Sequence, residues 1–109
     1  MSNRNYINGR NFEYVVKKKL ESEGWTVWRT PGSKSKADLI AVRKQTIEIS
    51  LYSNKRIPRV RLVQCKSGNA RLSKKGKKEF LEFAQSVGAE AMYAYRPTPR
   101  TIRLETLDE

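Results

Sequence analysis

The sequence predicts an α/β domain in which a mixed β-sheet is flanked by helices. Two stretches carry apolar residues at helical spacing, and the other ordered segments alternate or are rich in β-branched and aromatic residues. A chain of 109 residues can bury one core but is too short for two. We therefore assign residues 1–109 to a single domain and expect the polar residues 1–8 to be flexible.

The first helix is expected over residues 9–23. Its apolar stripe consists of Phe12, Val15, Val16 and Leu20. Gly24 follows, where a left-handed residue often ends a helix. The second helix is expected after Ser73, a good N-cap, and continues to about Val87. Its core face is predicted to be Phe80, Phe83, Ala84 and Val87.

Six strands are expected from alternation and residue type. Their ranges are 25–30, 37–43, 45–53, 59–66, 89–95 and 101–107. The basic segment NKRIP, residues 54–58, is expected to be a turn between the third and fourth strands. The predicted order is therefore α-β-β-β-β-α-β-β.

The chain is strongly basic. It has 23 Lys and Arg against 11 Asp and Glu, for a formal net charge of +12. Such a charge is typical of proteins that bind nucleic acids. A protein that binds anionic membranes, or a ribosome-associated fragment, is the alternative that composition leaves open. No apolar run is long enough to span a membrane, and no signal peptide is visible.

The missing residue types restrict the chemistry further. There is no histidine and a single cysteine, Cys65. These absences exclude His- and Cys-based zinc sites, Ser-His-Asp triads and histidine general bases. A lone cysteine makes no intrachain disulfide, so we expect a reducing, intracellular location such as the cytoplasm. Catalysis would then depend on carboxylates, lysine and a hard cation such as Mg²⁺.

Two short motifs carry residues suited to that chemistry. Asp38 opens the strand in KADLIAV, and Gln64 and Lys66 lie two residues apart in VQCKSG, so both project from one face. If the first helix packs on these strands, its Glu13 meets them. Asp38, the Gln64 amide oxygen and the Cys65 backbone carbonyl could then hold Mg²⁺. Lys66 would orient the attacking water and neutralise charge at phosphorus.

Each of these residues has a structural explanation when it is taken alone. Glu13 could be a solvated helix residue, and Asp38 could cap a turn. Gln64 and Lys66 could be the polar positions of an alternating strand. The combination is more specific, because the residues occur on elements of the right type and in the right order.

The longer motifs resemble a known family. GRNFEYVVKKKLESEGWTVWRTPGSKSKADLIAV, VQCKSG and KKGKKEFLEFAQSVGAEAMYAY are similar to the archaeal-type Holliday junction resolvases of the PD-(D/E)XK nuclease superfamily. The resemblance covers roughly residues 9–104. It implies a restriction-endonuclease-like fold and a homodimer that cuts four-way DNA junctions symmetrically. It also implies dependence on Mg²⁺, with Mn²⁺ as a possible substitute, and no small-molecule cofactor.

The resemblance also suggests roles for individual positions. Glu13 matches the acid of the first helix, and Arg29 a basic residue at the end of a strand. Ser33 or Ser35 matches a loop serine, while Asp38 and Lys66 match the motif aspartate and lysine.

The chain departs from the family pattern at several positions. Gln64 replaces the usual Glu, Tyr14 stands where Arg is common, Ala37 stands where the motif has Pro, and the segment 43–61 is longer than usual. A glutamine oxygen can still bind a cation, so we expect weaker Mg²⁺ binding and an active enzyme.

Cations near the motifs are expected to contact DNA phosphates, although some could be merely solvated. They are Arg10, Arg29, Lys34, Lys36, Arg71, Lys74, Lys75, Lys77 and Lys78. Arg43, Lys44, Lys55 and Arg56 would extend this surface along the hairpin that the longer segment 43–61 suggests. Two alternatives to a resolvase are left open: another superfamily nuclease that nicks or cuts duplex DNA, and an inactive DNA-binding module.

Overall fold

The computed structural model describes residues 3–30, 36–50 and 53–108, and for residues 3–9, 45–50 and 53–57 it describes the backbone only. Two helices and five strands form. They are α1 (Asn3–Ser22), β1 (Thr26–Arg29), β2 (Leu39–Ser50), β3 (Ser53–Lys66), α2 (Lys74–Ser86), β4 (Glu90–Tyr95) and β5 (Arg103–Leu107).

The strands form one mixed sheet in the order β1-β2-β3-β4-β5. Every neighbouring pair is antiparallel except β3 and β4, which are parallel. A parallel pair needs a crossover connection, and here α2 supplies it. The α/β class with a mixed sheet, predicted from the sequence, is confirmed.

Each face of the sheet has its own apolar cluster. On the face covered by α1, the helix residues Phe12, Val16 and Leu20 pack with sheet residues that include Val63. On the opposite face, Phe80 and Ala84 of α2 pack with sheet residues that include Leu62. Adjacent strand residues thus serve opposite faces, as the pleat requires.

The first helix is longer than expected. It begins at Asn3, so residues 3–8, expected to be flexible, form its first turns. No proline interrupts this segment, and Gly9 inside a helix costs only about 1 kcal/mol, so it does not prevent the extension. Gly24 ends the helix as predicted, with a φ of 95°. Val15, predicted to be in the core, is 38% exposed.

The second helix begins as predicted. The Ser73 side chain accepts a hydrogen bond from the Gly76 N–H at 3.0 Å. Phe80 and Ala84 are buried as expected, but Val87 follows the helix and is 59% exposed. Within the described residues, neither helix is long and apolar enough to span a membrane.

The segment between the helices differs most from prediction. Strands were expected at 37–43 and 45–53, but residues 39–50 form the single strand β2, and NKRIP belongs to β3 instead of forming a turn. Pro58 fits in β3 because β4 pairs with β3 only from Arg61 onward, which leaves that edge open at Pro58. Five strands therefore form where six were expected.

Candidate active site

The residues expected to form the site lie where β2 and β3 stop pairing. The last paired residues at this end are Leu39 and Val63. The Asp38 N–H still donates to the Val63 carbonyl at 2.8 Å. Beyond this bond, a side-chain oxygen takes the place of a backbone carbonyl as the acceptor: the Cys65 N–H donates to Asp38 Oδ2 at 2.7 Å. The Asp38 carboxylate is thus fixed against the end of β3.

Strand β1 holds the backbone on the other side of Asp38. The Thr30 N–H donates to the Asp38 carbonyl at 3.0 Å. The Thr30 hydroxyl donates to the Ala37 carbonyl. A carboxylate can accept about four hydrogen bonds or metal contacts, so one bond from Cys65 leaves Asp38 able to bind a cation.

Glu13 reaches the site from α1 and is half-buried. Its Oε1 accepts from Arg29 Nε at 3.0 Å, which joins the helix to the end of β1. Burial raises the pKa of Glu13 above its ordinary value, the Arg29 hydrogen bond opposes the rise, and the nearby Asp38 charge adds to it. Glu13 and Asp38 are therefore close enough for their charges to repel, and a bound cation would relieve that repulsion.

The Gln64 side chain is also held by a hydrogen bond at this end of the β2–β3 pair. Its Nε2 donates to the Lys36 carbonyl at 2.8 Å. This bond uses the nitrogen of the amide and leaves its oxygen available as a neutral ligand. This side-chain hydrogen bond takes the place of a backbone hydrogen bond between β2 and β3, as does the bond between Cys65 and Asp38.

Gln64 and Lys66 leave β3 on the face covered by α2. Leu62 packs in the α2 cluster and Cys65 against the α1 cluster, so alternation puts residues 64 and 66 with Leu62. Glu13 instead approaches from the α1 face. The four residues therefore surround the end of the β2–β3 ladder from both faces, and within the described residues no hydrogen bond joins Glu13 to Gln64 or Lys66.

The carboxylate and amide oxygens of this site suit a hard cation that also binds a phosphate of the substrate. In the described part of the chain, no three His, Cys, Asp or Glu side chains are grouped closely enough to hold a metal by themselves. Mg²⁺ is commonly held by one or two carboxylates together with water and substrate phosphates. Asp38, Glu13 and the Gln64 oxygen fit that pattern. The Cys65 backbone carbonyl stays a predicted ligand.

A sequence profile described as archaeal Holliday junction resolvase (Hjc) matches residues 4–109. The chain belongs to this family. A 1.6 Å structure of the Holliday junction resolvase Hjc from the archaeal hyperthermophile Archaeoglobus fulgidus has a similar fold, with a TM-score of 0.61. The two chains are 22% identical over 90% of this chain and 71% of that one. No curated protein sequence matches.

Family membership establishes the activity. The chain is a Holliday junction resolvase, an endonuclease of DNA recombination. The resemblance predicted from the sequence is therefore confirmed, and the alternative of an inactive DNA-binding module is set aside. Resolvase nucleases of this family generally depend on a divalent metal.

The basic residues predicted to bind DNA differ in how they are engaged. Arg29 is bonded to Glu13, and its guanidinium lies 4.9 Å from the centroid of the Tyr14 ring. Arg10 lies 5.8 Å from the same ring. These two arginines lower the pKa of the exposed Tyr14 hydroxyl, chiefly through the hydrogen bond from Arg10.

The Arg71 side chain is hydrogen-bonded to the backbone of the resolvase. Its guanidinium donates to the carbonyls of Gly68, Ala70 and Arg96. It also lies 5.0 Å from the Tyr95 ring centroid. Arg71 therefore ties the loop after β3 to the end of β4, and a phosphate would compete with these bonds.

The lysines of α2 form two groups. Lys75 and Lys77 have acidic neighbours, Glu79 at 3.9 Å and Glu105 at 3.6 Å. Lys74 and Lys78 make no ion pair within the described residues. Lys77 Nζ also lies 5.3 Å from the ring centroid of Tyr93, the register partner of Gln64. The start of α2 therefore borders the site.

The loop between β1 and β2 is described only at its end. The predicted residues Ser33, Lys34 and Ser35 lie outside the described residues. Lys36 is exposed, and its Nζ is 4.8 Å from the centroid of the Phe83 ring on α2.

Sequence reasoning missed a groove beside the site. It is lined by Asn11, Phe12, Val15, Ser67, Gly68, Asn69, Ala70, Arg96, Pro97, Thr98 and Pro99. Arg96 lies over the Phe12 ring with its guanidinium carbon 5.0 Å from the centroid. No signal in the sequence pointed to this groove, because Val15, which lines it, fits the apolar stripe of α1.

Proposed function

We propose that the resolvase acts as a homodimer and cuts two opposing strands of a four-way junction in a Mg²⁺-dependent reaction, with Mn²⁺ as a possible substitute. The observation that carries the proposal is the Asp38 carboxylate, fixed by the Cys65 N–H beside the Glu13 carboxylate. Two neighbouring carboxylates at the end of a strand pair favour a divalent cation, which can in turn bind a substrate phosphate.

Asp38 and Glu13 would hold the cation, and Gln64 would add a neutral oxygen. A divalent cation bound there supplies positive charge at the phosphodiester and makes a water molecule more acidic. Arg29 holds the Glu13 carboxylate in place through its 3.0 Å bond and partly offsets the rise that burial causes in its pKa. Asp38 would be the principal ligand, because in the described part of the chain its carboxylate accepts a hydrogen bond from one backbone N–H and makes no ion pair.

Lys66 supplies positive charge on the α2 side of the site. It is half-buried at the end of β3, beside Tyr95 on the next strand. Its ammonium would orient the attacking water and offset the negative charge that develops at phosphorus. Ser33 or Ser35 is proposed to bind the phosphate from the loop before Asp38.

A homodimer fits the symmetry of the substrate, because paired cuts in opposing strands require two sites. We place the interface on the α2 face of the sheet. Trp28 is 54% exposed there, beside its register partner Ile40, and Val87 at the end of α2 is 59% exposed. The strand β4 is unsuitable because Ala91–Ala94 are buried.

The dimer is tested by sedimentation of the parent and of Trp28→Glu with Val87→Glu. The expected result is a dimeric parent and a monomeric variant that has a native circular dichroism spectrum. A variant that stays dimeric places the interface elsewhere.

The cleavage reaction is tested with a synthetic four-way junction labelled on each strand in turn. We expect paired cuts in two opposing strands in Mg²⁺ or Mn²⁺ and none in EDTA, while a linear duplex of the same sequence stays intact. Equal cleavage of duplex would instead support a nicking or duplex nuclease. Cutting in EDTA would exclude the proposed metal dependence.

A further inference from the structure

The hairpin of β2 and β3 extends beyond the rest of the sheet. β1 pairs with β2 only over Leu39–Val42, and β4 pairs with β3 only over Arg61–Lys66. The two strands continue to pair with each other as far as Ser50 and Ser53. Residues 43–50 and 53–60 thus form a two-stranded ribbon, and within the described residues no other strand pairs with either edge.

The ribbon gives the molecule its elongated shape. At about 3.4 Å per residue, its length is roughly 25 Å. The molecule measures 60 Å along its longest axis and only 29 and 25 Å along the others. Asp38 lies five positions before Arg43, so the base of the ribbon is roughly 17 Å from the candidate site.

Ionic and cation–π contacts fix the base of the ribbon. The guanidinium carbons of Arg43, Arg59 and Arg61 lie 5.9, 5.3 and 4.4 Å from the centroid of the buried Trp25 ring. Glu90 accepts two hydrogen bonds from Arg59, at 2.9 and 2.8 Å, and one from Arg61 at 3.1 Å. The hydrogen bonds from Arg59 lower the pKa of Glu90, which keeps it ionised in this cluster. The base therefore sets the direction in which the ribbon leaves the sheet.

The ribbon is rich in positive charge. Its sequence contains Arg43, Lys44, Lys55, Arg56 and Arg59 and a single acid, Glu48. Of the cations whose side chains are described, Arg43 and Lys44 are exposed, whereas Arg59 is paired with Glu90. The positive charges of the ribbon repel a second copy of the ribbon. Pro58 has no backbone N–H and so removes a donor from one edge. Both features disfavour strand pairing with another chain.

We propose that this ribbon binds the duplex arm of the junction beyond the point of cleavage, lying in its major groove. A two-stranded ribbon fits the major groove of B-DNA, and its cations would face the flanking phosphates. A length of roughly 25 Å covers about seven base pairs at 3.4 Å each. The inference rests on the proposed function, because the arm belongs to the same junction that is cut.

The test removes the ribbon while leaving its base in place. Residues 46–56 are replaced by Asn-Gly, which forms a tight hairpin turn between the register partners Gln45 and Ile57. Junction affinity is measured in Ca²⁺ with arms of about 8 and about 20 base pairs. We expect the parent to bind the long-armed junction more tightly and the shortened variant to bind both equally. Parent-like affinity and arm-length dependence in the shortened variant would overturn the proposal.

A second variant covers the possibility that the shortened hairpin does not fold. Lys44→Gln with Lys55→Gln removes two charges from the ribbon, and Lys18→Gln with Lys19→Gln removes two from the outer surface of α1. The ribbon variant should reduce the slope of log affinity against log salt by about two for the long-armed junction. The α1 control should change it little, and equal effects of the two variants would contradict a ribbon contact.

Two further measurements separate this idea from the proposed function. At saturating junction in Mg²⁺, the shortened variant should cut at the parent rate, because the residues at Asp38 are intact. If the parent does not cut junctions, the proposed function fails while the arm-length comparison still tests the ribbon. A shortened variant that becomes monomeric in sedimentation would show that the ribbon contacts a second copy, against the DNA proposal.

Discussion

The Asp38 carboxylate accepts a hydrogen bond from the Cys65 N–H at 2.7 Å, one residue beyond the last β2–β3 pair. The bond satisfies a backbone N–H of β3 where the ladder ends, and it also fixes a carboxylate whose charge acts on Glu13. Asp38 therefore combines a structural role with the proposed metal-binding role. The first prediction separates the two.

Asp38→Asn should bind a four-way junction at least as tightly as the parent and cut it far more slowly. The Asn oxygen can still accept from the Cys65 N–H, so the fold should be retained, while a negative charge near phosphate is lost. Affinity is measured by gel shift in Ca²⁺, and cleavage in Mg²⁺ with the same preparation. Cleavage at the parent rate would remove Asp38 from the metal site. Loss of binding by a folded variant would show that its role is structural.

Gln64→Glu should lower the Mg²⁺ concentration needed for half-maximal cleavage. A carboxylate adds negative charge to a hard-cation site, which strengthens it. The same change removes the donor to the Lys36 carbonyl, so we expect a loss of stability of about 1 kcal/mol without metal. Mg²⁺ titrations of cleavage and thermal unfolding with and without Mg²⁺ measure the two effects. A folded variant without activity would count against Gln64 as a ligand.

The sequence predicted the common face of Gln64 and Lys66 but not the direction from which Glu13 approaches, and the difference has a physical explanation. Alternation correctly put Gln64 and Lys66 on one face of β3, because the side-chain period of a strand is two. It could not show that α1 covers the opposite face, since that depends on how the elements pack. Glu13 therefore approaches the end of the ladder from the face opposite to Gln64 and Lys66.

The ribbon shows a second limit of local reasoning. Lys44 and NKRIP look like breaks in a pattern, because turns are rich in polar residues and proline. Alternation marks a strand where one face is buried, so it does not indicate how far two strands go on pairing beyond the rest of a sheet. The family resemblance indicated an extended hairpin in residues 43–61, but how far its strands pair is visible only in the register of β2 with β3.

Glu13 should impose an acidic limit on cleavage at a pH above its ordinary pKa of 4.5. Burial raises the pKa of Glu13, and Arg29 partly offsets this rise, so Arg29→Gln should move the limit to higher pH. Single-turnover cleavage from about pH 4.5 to pH 8 measures the limit in both proteins. A profile that does not move would show that Glu13 ionisation does not control the reaction.

Glu13 should also affect stability without metal. Its pKa is raised in the folded state, so protonated Glu13 favours folding, and stability should fall as the pH rises from 4.5 through the raised value. Glu13→Gln should remove this part of the pH dependence. Urea unfolding in EDTA across that range provides the comparison, and an unchanged dependence would contradict the assignment.

Cys65 should be unreactive in the folded protein. Burial raises the pKa of its thiol, and the charges of Asp38 and Glu13 raise it further, so little thiolate is present near neutral pH. Alkylation by iodoacetamide should be slow without denaturant and should accelerate as urea unfolds the chain. Rapid labelling under native conditions would show that the end of β3 opens, and would contradict the fixed contact with Asp38.

The last prediction compares two pairs of lysines on α2. Lys74 and Lys78 make no ion pair within the described residues, whereas Lys75 and Lys77 lie near Glu79 and Glu105. A lysine that is not held in an ion pair is freer to replace a DNA counterion at a phosphate. Lys74→Gln with Lys78→Gln should therefore reduce the slope of log affinity against log salt by about two.

Lys75→Gln with Lys77→Gln is the matched control, because it removes the same charge from the same helix. We expect a smaller change in slope for this pair, since each lysine is already partly neutralised by a glutamate. Both variants are measured on one four-way junction in Ca²⁺ over a series of salt concentrations. Equal slopes for the two variants would show that the glutamates do not determine which lysines meet phosphate. An unchanged slope in both would exclude the start of α2 from the DNA-binding surface.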